Sequence, residues 1–252
     1  MRVKLPAMAV AAVMAGAGAV WLAAHQPFGR PTEPGPVLTL VVGVSLVGSG
    51  LASWRARPEN RLGPIMVFTG FAWFSAQLIE AQAPWIYTIG LIVQSVFIVG
   101  FVYLLLSFPS GRLPTLVDRG VVVVGAVLTV GLQALAMLYG DRSGLGCPSC
   151  TDNLLRVFSN DALATGLLSL QRFLGGLLVI IVVGRLVWRW LRASTPERRA
   201  VVPVLVAGLA TLTALTWDIV EDLAGDPLGA LPATAFQYTF ATVPIAVLVV
   251  FL

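Results

Sequence analysis

Eight long apolar stretches follow one another along the 252-residue chain, each bounded by charged residues, proline or glycine. A helix needs about 20 mainly apolar residues to cross a hydrocarbon core about 30 Å thick, and each stretch is close to that length. Strands are not expected, because unpaired backbone groups are too costly in lipid. The pattern predicts an all-α, polytopic transmembrane helix bundle that forms one membrane domain over residues 1–252, with helices at 7–24, 37–54, 62–78, 85–108, 120–139, 167–191, 200–219 and 233–252.

The composition agrees with a protein that lies almost wholly in a membrane. Apolar residues make up 58% of the chain and charged residues 11%, with a mean hydropathy of +0.89. Charged residues usually make up about 25% of a soluble domain, so an ordinary soluble enzyme is excluded. The net charge of +4 does not indicate nucleic-acid binding, because the basic residues punctuate the apolar spans and form no groove-sized patch.

The basic residues instead predict the orientation of the helices. Basic residues are concentrated in cytoplasmic loops of membrane proteins. With a cytoplasmic amino terminus, most of the 16 basic residues lie inside, and we expect both termini there. The inner set is Arg2, Lys4, Arg55, Arg57, Arg61, Arg112, Arg119, Arg185, Arg189, Arg192, Arg198 and Arg199. The first stretch also has features of a cleaved signal peptide, but its apolar run is longer than usual, so a retained helix is expected.

Polar side chains inside the predicted spans fall in the outer half of the bundle. They form a candidate ligand-binding set: Gln77, Glu80, Gln94, Gln133, Arg172, Asp218, Glu221 and Gln237. Ionisable groups in a membrane are costly and often functional, so these residues could line an outward-facing cavity. Interhelical hydrogen bonding and snorkelling explain the same pattern equally well. We expect Arg172 and Asp218 to form an ion pair, because each would be costly alone.

Aromatic and cysteine residues add two further expectations. Trp73 and Phe74 lie deeper than the interfacial aromatic belts and could contact an apolar ligand, although core packing is the more common role. Cys147 and Cys150 lie in the predicted extracytoplasmic loop, residues 140–165, where a disulfide can persist. A structural disulfide is favoured over redox sensing. The loop segment 151–158 is either an amphipathic cap over a cavity or a connector that covers helix ends.

No catalytic residue and no metal site are predicted. His25 is the sole histidine of the chain, and no second histidine or acidic cluster lies near it. Pro244 falls inside the last helix, where a missing backbone donor predicts a bend or hinge. Because the chain ends at Leu252 without a basic anchor, we expect the natural protein to continue into the cytoplasm.

Four loop motifs share one resemblance. They are Arg57-Pro-Glu-Asn-Arg-Leu-Gly63, Leu106-Ser-Phe-Pro-Ser-Gly-Arg-Leu-Pro114, Cys147-Pro-Ser-Cys150 with Asn153-Leu-Leu155, and Arg192-Ala-Ser-Thr-Pro-Glu-Arg-Arg199. In their order and spacing, they resemble the amino-terminal membrane sensor region of bacterial two-component sensor histidine kinases from high-GC organisms. Together they extend over nearly the whole chain.

The resemblance implies a signal-input domain in the bacterial plasma membrane. A stimulus would pass through the last helix, hinged near Pro244, to a cytoplasmic kinase region that follows this chain. That region would bring ATP and Mg²⁺, a homodimer interface and a response regulator as partner, whereas this chain would contact membrane lipid and bind no cofactor. The alternative is a stand-alone transporter or binding protein with an outward-facing polar cavity. A transporter would typically show internal symmetry and charges at the midplane of the membrane, and neither is found.

Overall fold

The computed structural model of the protein describes residues 5–25, 36–224 and 231–251 and contains eight helical spans there. No strand occurs in these ranges, so the predicted all-α bundle is confirmed. Six spans are long and apolar enough to cross a membrane, and the first and last contain shorter apolar segments. The spans are α1 (Leu5–Ala24), α2 (Pro36–Ala56), α3 (Leu62–Glu80), α4 (Pro84–Ser107), α5 (Leu116–Tyr139), α6 (Asp161–Arg192), α7 (Thr195–Ala224) and α8 (Leu231–Phe251).

Loop contacts define the two ends of the bundle. At the basic end, Asn60 Nδ2 donates to the carbonyl of Pro109, which joins the loop before α3 to the loop after α4. At the disulfide end, the backbone amide of Leu154 donates to Thr88 Oγ1 of α4. The basic end therefore carries the loops predicted to be cytoplasmic, and the disulfide end carries the loop with both cysteines.

Glycines bring α2 and α3 into backbone contact. A Cβ atom added to Gly63 would lie 2.7 Å from the backbone nitrogen of Trp54 and 2.8 Å from the carbonyl oxygen of Gly50. A Cβ atom added to Gly50 would likewise lie 2.9 Å from the carbonyl oxygen of Gly63. Small residues allow this close approach in lipid, where dispersion contacts between backbones replace the hydrophobic effect as the driving force.

Aromatic side chains fill the core where α3, α4 and α8 meet. We call Trp73, Phe97, Phe101, Phe236 and Phe240 the aromatic cluster. Trp73 packs edge-on against Phe97, with ring centroids 4.9 Å apart, and Phe101 packs edge-on against Phe240 at 5.0 Å. Edge-to-face pairs contribute about 0.5–1.5 kcal/mol beyond the area they bury. The Trp73 indole also donates to the carbonyl of Thr39, which joins α2 to the same core.

Three spans depart from regular α-helix. The last five residues of α3 form a 3₁₀ segment, Ala76–Glu80, and α4 is interrupted by a turn at Gln94 and Ser95. Within α5, Val127–Leu132 form a π-helical segment. Such segments are uncommon and leave some backbone groups outside the regular helical hydrogen-bond pattern. Side chains from other helices can then bond to these groups.

Candidate functional site

Four members of the predicted ligand-binding set are buried inside the bundle. Gln77 and Glu80 are buried in the 3₁₀ end of α3, while Gln133 and Gln237 are buried on α5 and α8. Gln77 lies one turn beyond Trp73, and Gln237 lies one turn before Phe240. The rings of Trp73 and Phe240 are in contact, with centroids 5.5 Å apart. Gln77 and Gln237 therefore flank the aromatic cluster from two different helices.

Gln94 has a local role. It lies at the turn that interrupts α4, and its Nε2 donates to the carbonyl of Leu91 at 3.2 Å. The turn leaves carbonyls at the end of the first half-helix without their usual partners, and the side chain supplies one donor. The Gln94 side chain therefore stabilises the interruption of α4.

The remaining members of the set lie on α6 and α7. Arg172 is on the exposed face of α6, and Glu221 accepts a hydrogen bond of 2.8 Å from the indole nitrogen of Trp217 on its own helix. The side chain of Asp218 is outside the described part of the chain, so the expected pairing of Arg172 with Asp218 stays a prediction. Pro244 is buried within the continuous helix α8.

Trp73 and Phe74, the two candidate contacts for an apolar ligand, are both buried. Trp73 belongs to the aromatic cluster, and the ring of Phe74 covers Gly43, where an added Cβ atom would lie 2.2 Å from it. Both side chains therefore serve core packing in this structure, which is the more common of the two roles considered.

Cys147 and Cys150 form a disulfide in the loop between α5 and α6. Both are buried, and they pack with Tyr87, Leu91 and Met137. The bridge is thus part of a small apolar core that holds the loop against α4 and α5. In the described part of the chain, no three His, Cys, Asp or Glu side chains come together in a way that could hold a metal ion.

The rest of this loop covers the end of α5. Asn153 Nδ2 donates to the carbonyls of Met137 and Gly140, at 2.6 and 3.2 Å, and the backbone amides of Val157 and Phe158 donate to the carbonyl of Leu138. These bonds satisfy carbonyls that have no partner within the helix. The segment is not helical, and its apolar side chains are exposed, as expected for a connector that covers helix ends.

An acidic turn organises the start of the same loop. Asp141 Oδ1 accepts the backbone amides of Ser143 at 2.7 Å and Gly144 at 3.0 Å. The amide of Gly144 is the main influence holding the pKa of Asp141 below its ordinary value, and the nearby Arg156 guanidinium acts in the same direction. Hydrogen bonds to a carboxylate favour its charged form. The turn is therefore built around an ionised Asp141.

A group at the basic end was missed by sequence reasoning, which treated its charges only as topology signals. Asp118 is fully buried, and Arg185 of α6 reaches it with Nε 3.0 Å from Oδ1 and Nη2 3.2 Å from Oδ2. Thr115 Oγ1 donates to Asp118 Oδ2 at 2.7 Å and accepts from Arg185 Nη2 at 3.0 Å. A bidentate Arg–carboxylate pair of this kind fixes geometry as well as charge. The sequence Thr115-x-x-Asp118 is a helix-capping signal that could have revealed half of this network.

Arg189, one turn further along α6, holds the end of another helix. Its two terminal nitrogens each lie 2.6 Å from a backbone carbonyl, Nη1 from Leu106 and Nη2 from Phe108. The planar guanidinium presents two donors side by side, which a lysine cannot reproduce. Arg189 therefore caps the carboxyl end of α4 from a distant part of the chain.

Gln171 also escaped the sequence prediction. Its Nε2 donates to the carbonyl of Thr129, inside the π-helical segment of α5, at 3.1 Å. Within that segment Thr129 Oγ1 bonds back to the carbonyl of Gly125 at 2.6 Å. The neighbouring Arg172, which was predicted, lies on the exposed face. Helical periodicity alone could not decide which of the two adjacent residues faces the bundle.

Comparisons with protein-family models, curated proteins and solved structures find no match to this chain.

Proposed function

We propose that this chain is the membrane-embedded signal-input domain of a sensor histidine kinase in the bacterial plasma membrane. A stimulus at the disulfide end or within the membrane would pass through α8 to a cytoplasmic kinase. The observation that best supports this proposal is the aromatic cluster. In it Phe240 of the last helix is fully buried and contacts rings from α3 and α4.

The cluster gives a continuous path along the bundle. Two members of the candidate ligand-binding set adjoin it: Gln77 lies one turn from Trp73, and Gln237 directly follows Phe236. Pro244 lies one turn from Phe240 toward the basic end. Closely packed cores respond to a local displacement by shifting between discrete arrangements. A ligand that altered packing around Gln77 or Gln237 would thus change the position of α8, and Pro244 is the hinge that we assign to it.

The phosphotransfer chemistry would belong to the kinase region. We assign the binding of ATP and Mg²⁺ to that region as well, as the resemblance of the loop motifs implies. We assign homodimerisation and contact with a response regulator to the same region. This chain itself would contact membrane lipid and supply no catalytic residue.

The first test is the coding sequence that follows the codon for Leu252. An in-frame helical segment with a phosphoacceptor histidine and a glycine-rich ATP-binding motif supports the proposal. A stop codon at that position would contradict it and would favour a stand-alone binding protein or transporter.

The second test is autophosphorylation of the natural gene product in native membranes. Phe240→Ala should change the basal autophosphorylation rate about fivefold or more, which corresponds to the lower end of typical coupling free energies between sites. Tyr238→Ala is the matched control, because Tyr238 is 63% exposed on the same helix and should leave the rate unchanged. An unchanged rate in correctly folded Phe240→Ala protein would refute the path through the cluster, and an unchanged rate in Pro244→Ala would refute the hinge.

A further inference from the structure

Three arginines from separate segments line one cavity at the basic end. Arg61 precedes α3, Arg112 lies in the loop between α4 and α5, and Arg119 lies in the first turns of α5. With Tyr103 and Leu113 they surround a cavity of about 440 Å³. All three arginines are exposed. We call this the arginine cavity.

The backbone around the arginine cavity holds these residues in place. Gly111 has a φ of 71°, and a Cβ atom added there would lie 2.8 Å from the amide nitrogen of Arg61. This contact, which needs glycine, brings the loop carrying Arg112 directly against Arg61. Thr115 Oγ1 accepts the amide of Asp118 and so fixes the first turn of α5, from which Arg119 projects. The three positions are thus set by turns and caps of the folded chain.

Within the described residues, no acidic side chain neutralises the positive charge in the cavity. In the residues that the structure describes, no carboxylate or hydrogen-bond partner contacts the guanidinium groups of Arg61, Arg112 or Arg119. Asp118 is next to Arg119 in sequence but is buried and paired with Arg185. Glu59, two residues before Arg61, is exposed and forms no ion pair with any residue that the structure describes. Arg185 and Arg189, by contrast, are engaged within the protein. Guanidinium groups that have no partner among the described residues are suited to binding a phosphate, because each can donate two parallel hydrogen bonds to phosphate oxygens.

An apolar groove continues from the arginine cavity along the bundle. It has a volume of about 380 Å³, shares Arg61 and Tyr103 with the cavity, and is lined further by Ile65, Phe68 and Val99. Phe68 is 56% exposed and lies seven residues after Arg61, which corresponds to about 10 Å along a helix. The groove therefore leads from the charged end toward the hydrocarbon core.

We propose that the arginine cavity and this groove bind one anionic phospholipid. The phosphate would lie among Arg61, Arg112 and Arg119, and an acyl chain would lie along Phe68 and Val99. A soluble phosphate ester would match the charges but would leave the groove empty, so the combination favours a lipid. Basic residues near a membrane surface each add about 1 kcal/mol of attraction to anionic lipid.

The proposal is tested by native mass spectrometry of the purified full chain in detergent with added phosphatidylglycerol or phosphatidylcholine. We expect wild-type protein to retain one phosphatidylglycerol in preference to phosphatidylcholine. Arg112→Gln/Arg119→Gln should weaken phosphatidylglycerol binding about thirtyfold, the effect of losing two such charges. Arg55→Gln/Arg192→Gln is the matched control, since it removes two exposed charges from the same end but outside the cavity and should change binding less than about threefold.

Three results would overturn the proposal. The first is equal binding of the two lipids by wild-type protein, a measurement that does not depend on whether any variant folds. The second is an equal loss of phosphatidylglycerol affinity in the two double variants, which would indicate general surface electrostatics. The third is full displacement of the lipid by an equal concentration of sn-glycerol 3-phosphate, which would identify a soluble ligand. Phe68→Ala provides a further check, because it should weaken lipid binding while all three charges remain.

Discussion

The buried ion pair between Asp118 and Arg185 provides the sharpest test of the fold. Replacing Asp118 with Ala would leave the Arg185 guanidinium without its carboxylate, at a position where its side chain is only 19% exposed. Removing one partner of a buried ion pair costs about 3–5 kcal/mol, because the other charge stays buried without compensation. The partial exposure of Arg185 lets water reach it, so we expect about 3 kcal/mol, at the lower end of that range.

The assay is thermal unfolding in detergent, followed by intrinsic tryptophan fluorescence. In a protein of this size a loss of about 3 kcal/mol corresponds to a decrease in Tm of about 6–12 °C. Asp152→Ala is the matched control. Asp152 forms an ion pair with Arg142 at 3.1 Å, but its side chain is 73% exposed, so its loss should cost at most about 1 kcal/mol.

A double-mutant cycle separates the pair from its surroundings. Arg185→Met keeps much of the apolar side chain while removing the charge, so Asp118→Ala/Arg185→Met should be more stable than the sum of the two single losses predicts. Additive losses would refute the reasoning, because they would show that the two side chains do not depend on each other. A loss in Asp118→Ala no larger than that in Asp152→Ala would refute it as well.

Three further predictions concern other parts of the bundle. Gly63→Val should destabilise the protein by about 1–3 kcal/mol, because α2 must move away to make room for the side chain. Gly48→Val is the control and should be tolerated, because no atom lies within 4 Å of a Cβ atom added at Gly48. Thermal unfolding of both variants tests the difference. Reduction of the Cys147–Cys150 disulfide should cost about 2 kcal/mol, the chain-entropy value for so short a loop, and would be measured as a lower Tm with added reductant. The pKa of Asp141 is lowered in the folded protein, so its ionised carboxylate stabilises the fold. This stabilisation should be fully present above the unfolded pKa of about 3.9 and should be lost as the pH falls through the lower folded pKa. The acid dependence of Tm should therefore be weaker in Asp141→Asn than in the wild type, and identical curves would contradict the assignment.

The helices could be predicted from the sequence because membrane spanning imposes a length and a composition that a single chain displays directly. Their irregularities could not, since the turn at Gln94 and the π-helical segment around Thr129 depend on hydrogen bonds with neighbouring structure. The predicted start of α6 is six residues too late, because Asp161, Thr165 and Gly166 interrupt the apolar run although they are helical.

For the candidate site as well, the sequence predicts positions along each helix but not the contacts between helices. The sequence predicts where Gln77 and Gln237 lie along their spans, and the structure adds that both are buried. Which side chains they approach depends on helix packing, about which hydropathy carries no information. Arg189 illustrates the limit best, because its charge predicts only a position near the end of a span, whereas its partners in the structure are two carbonyls from the end of α4.

The capping of α4 by Arg189 also has a consequence for the order in which the protein is made. Arg189 follows Phe108 by 81 residues, so the carboxyl end of α4 leaves the ribosome long before its cap exists. At about 5–20 residues per second, synthesis of that interval takes about 4–16 s. During this time the carbonyls of Leu106 and Phe108 must be satisfied by water or by the insertion machinery. The final end of α4 is therefore established late in biogenesis, when α6 has entered the membrane.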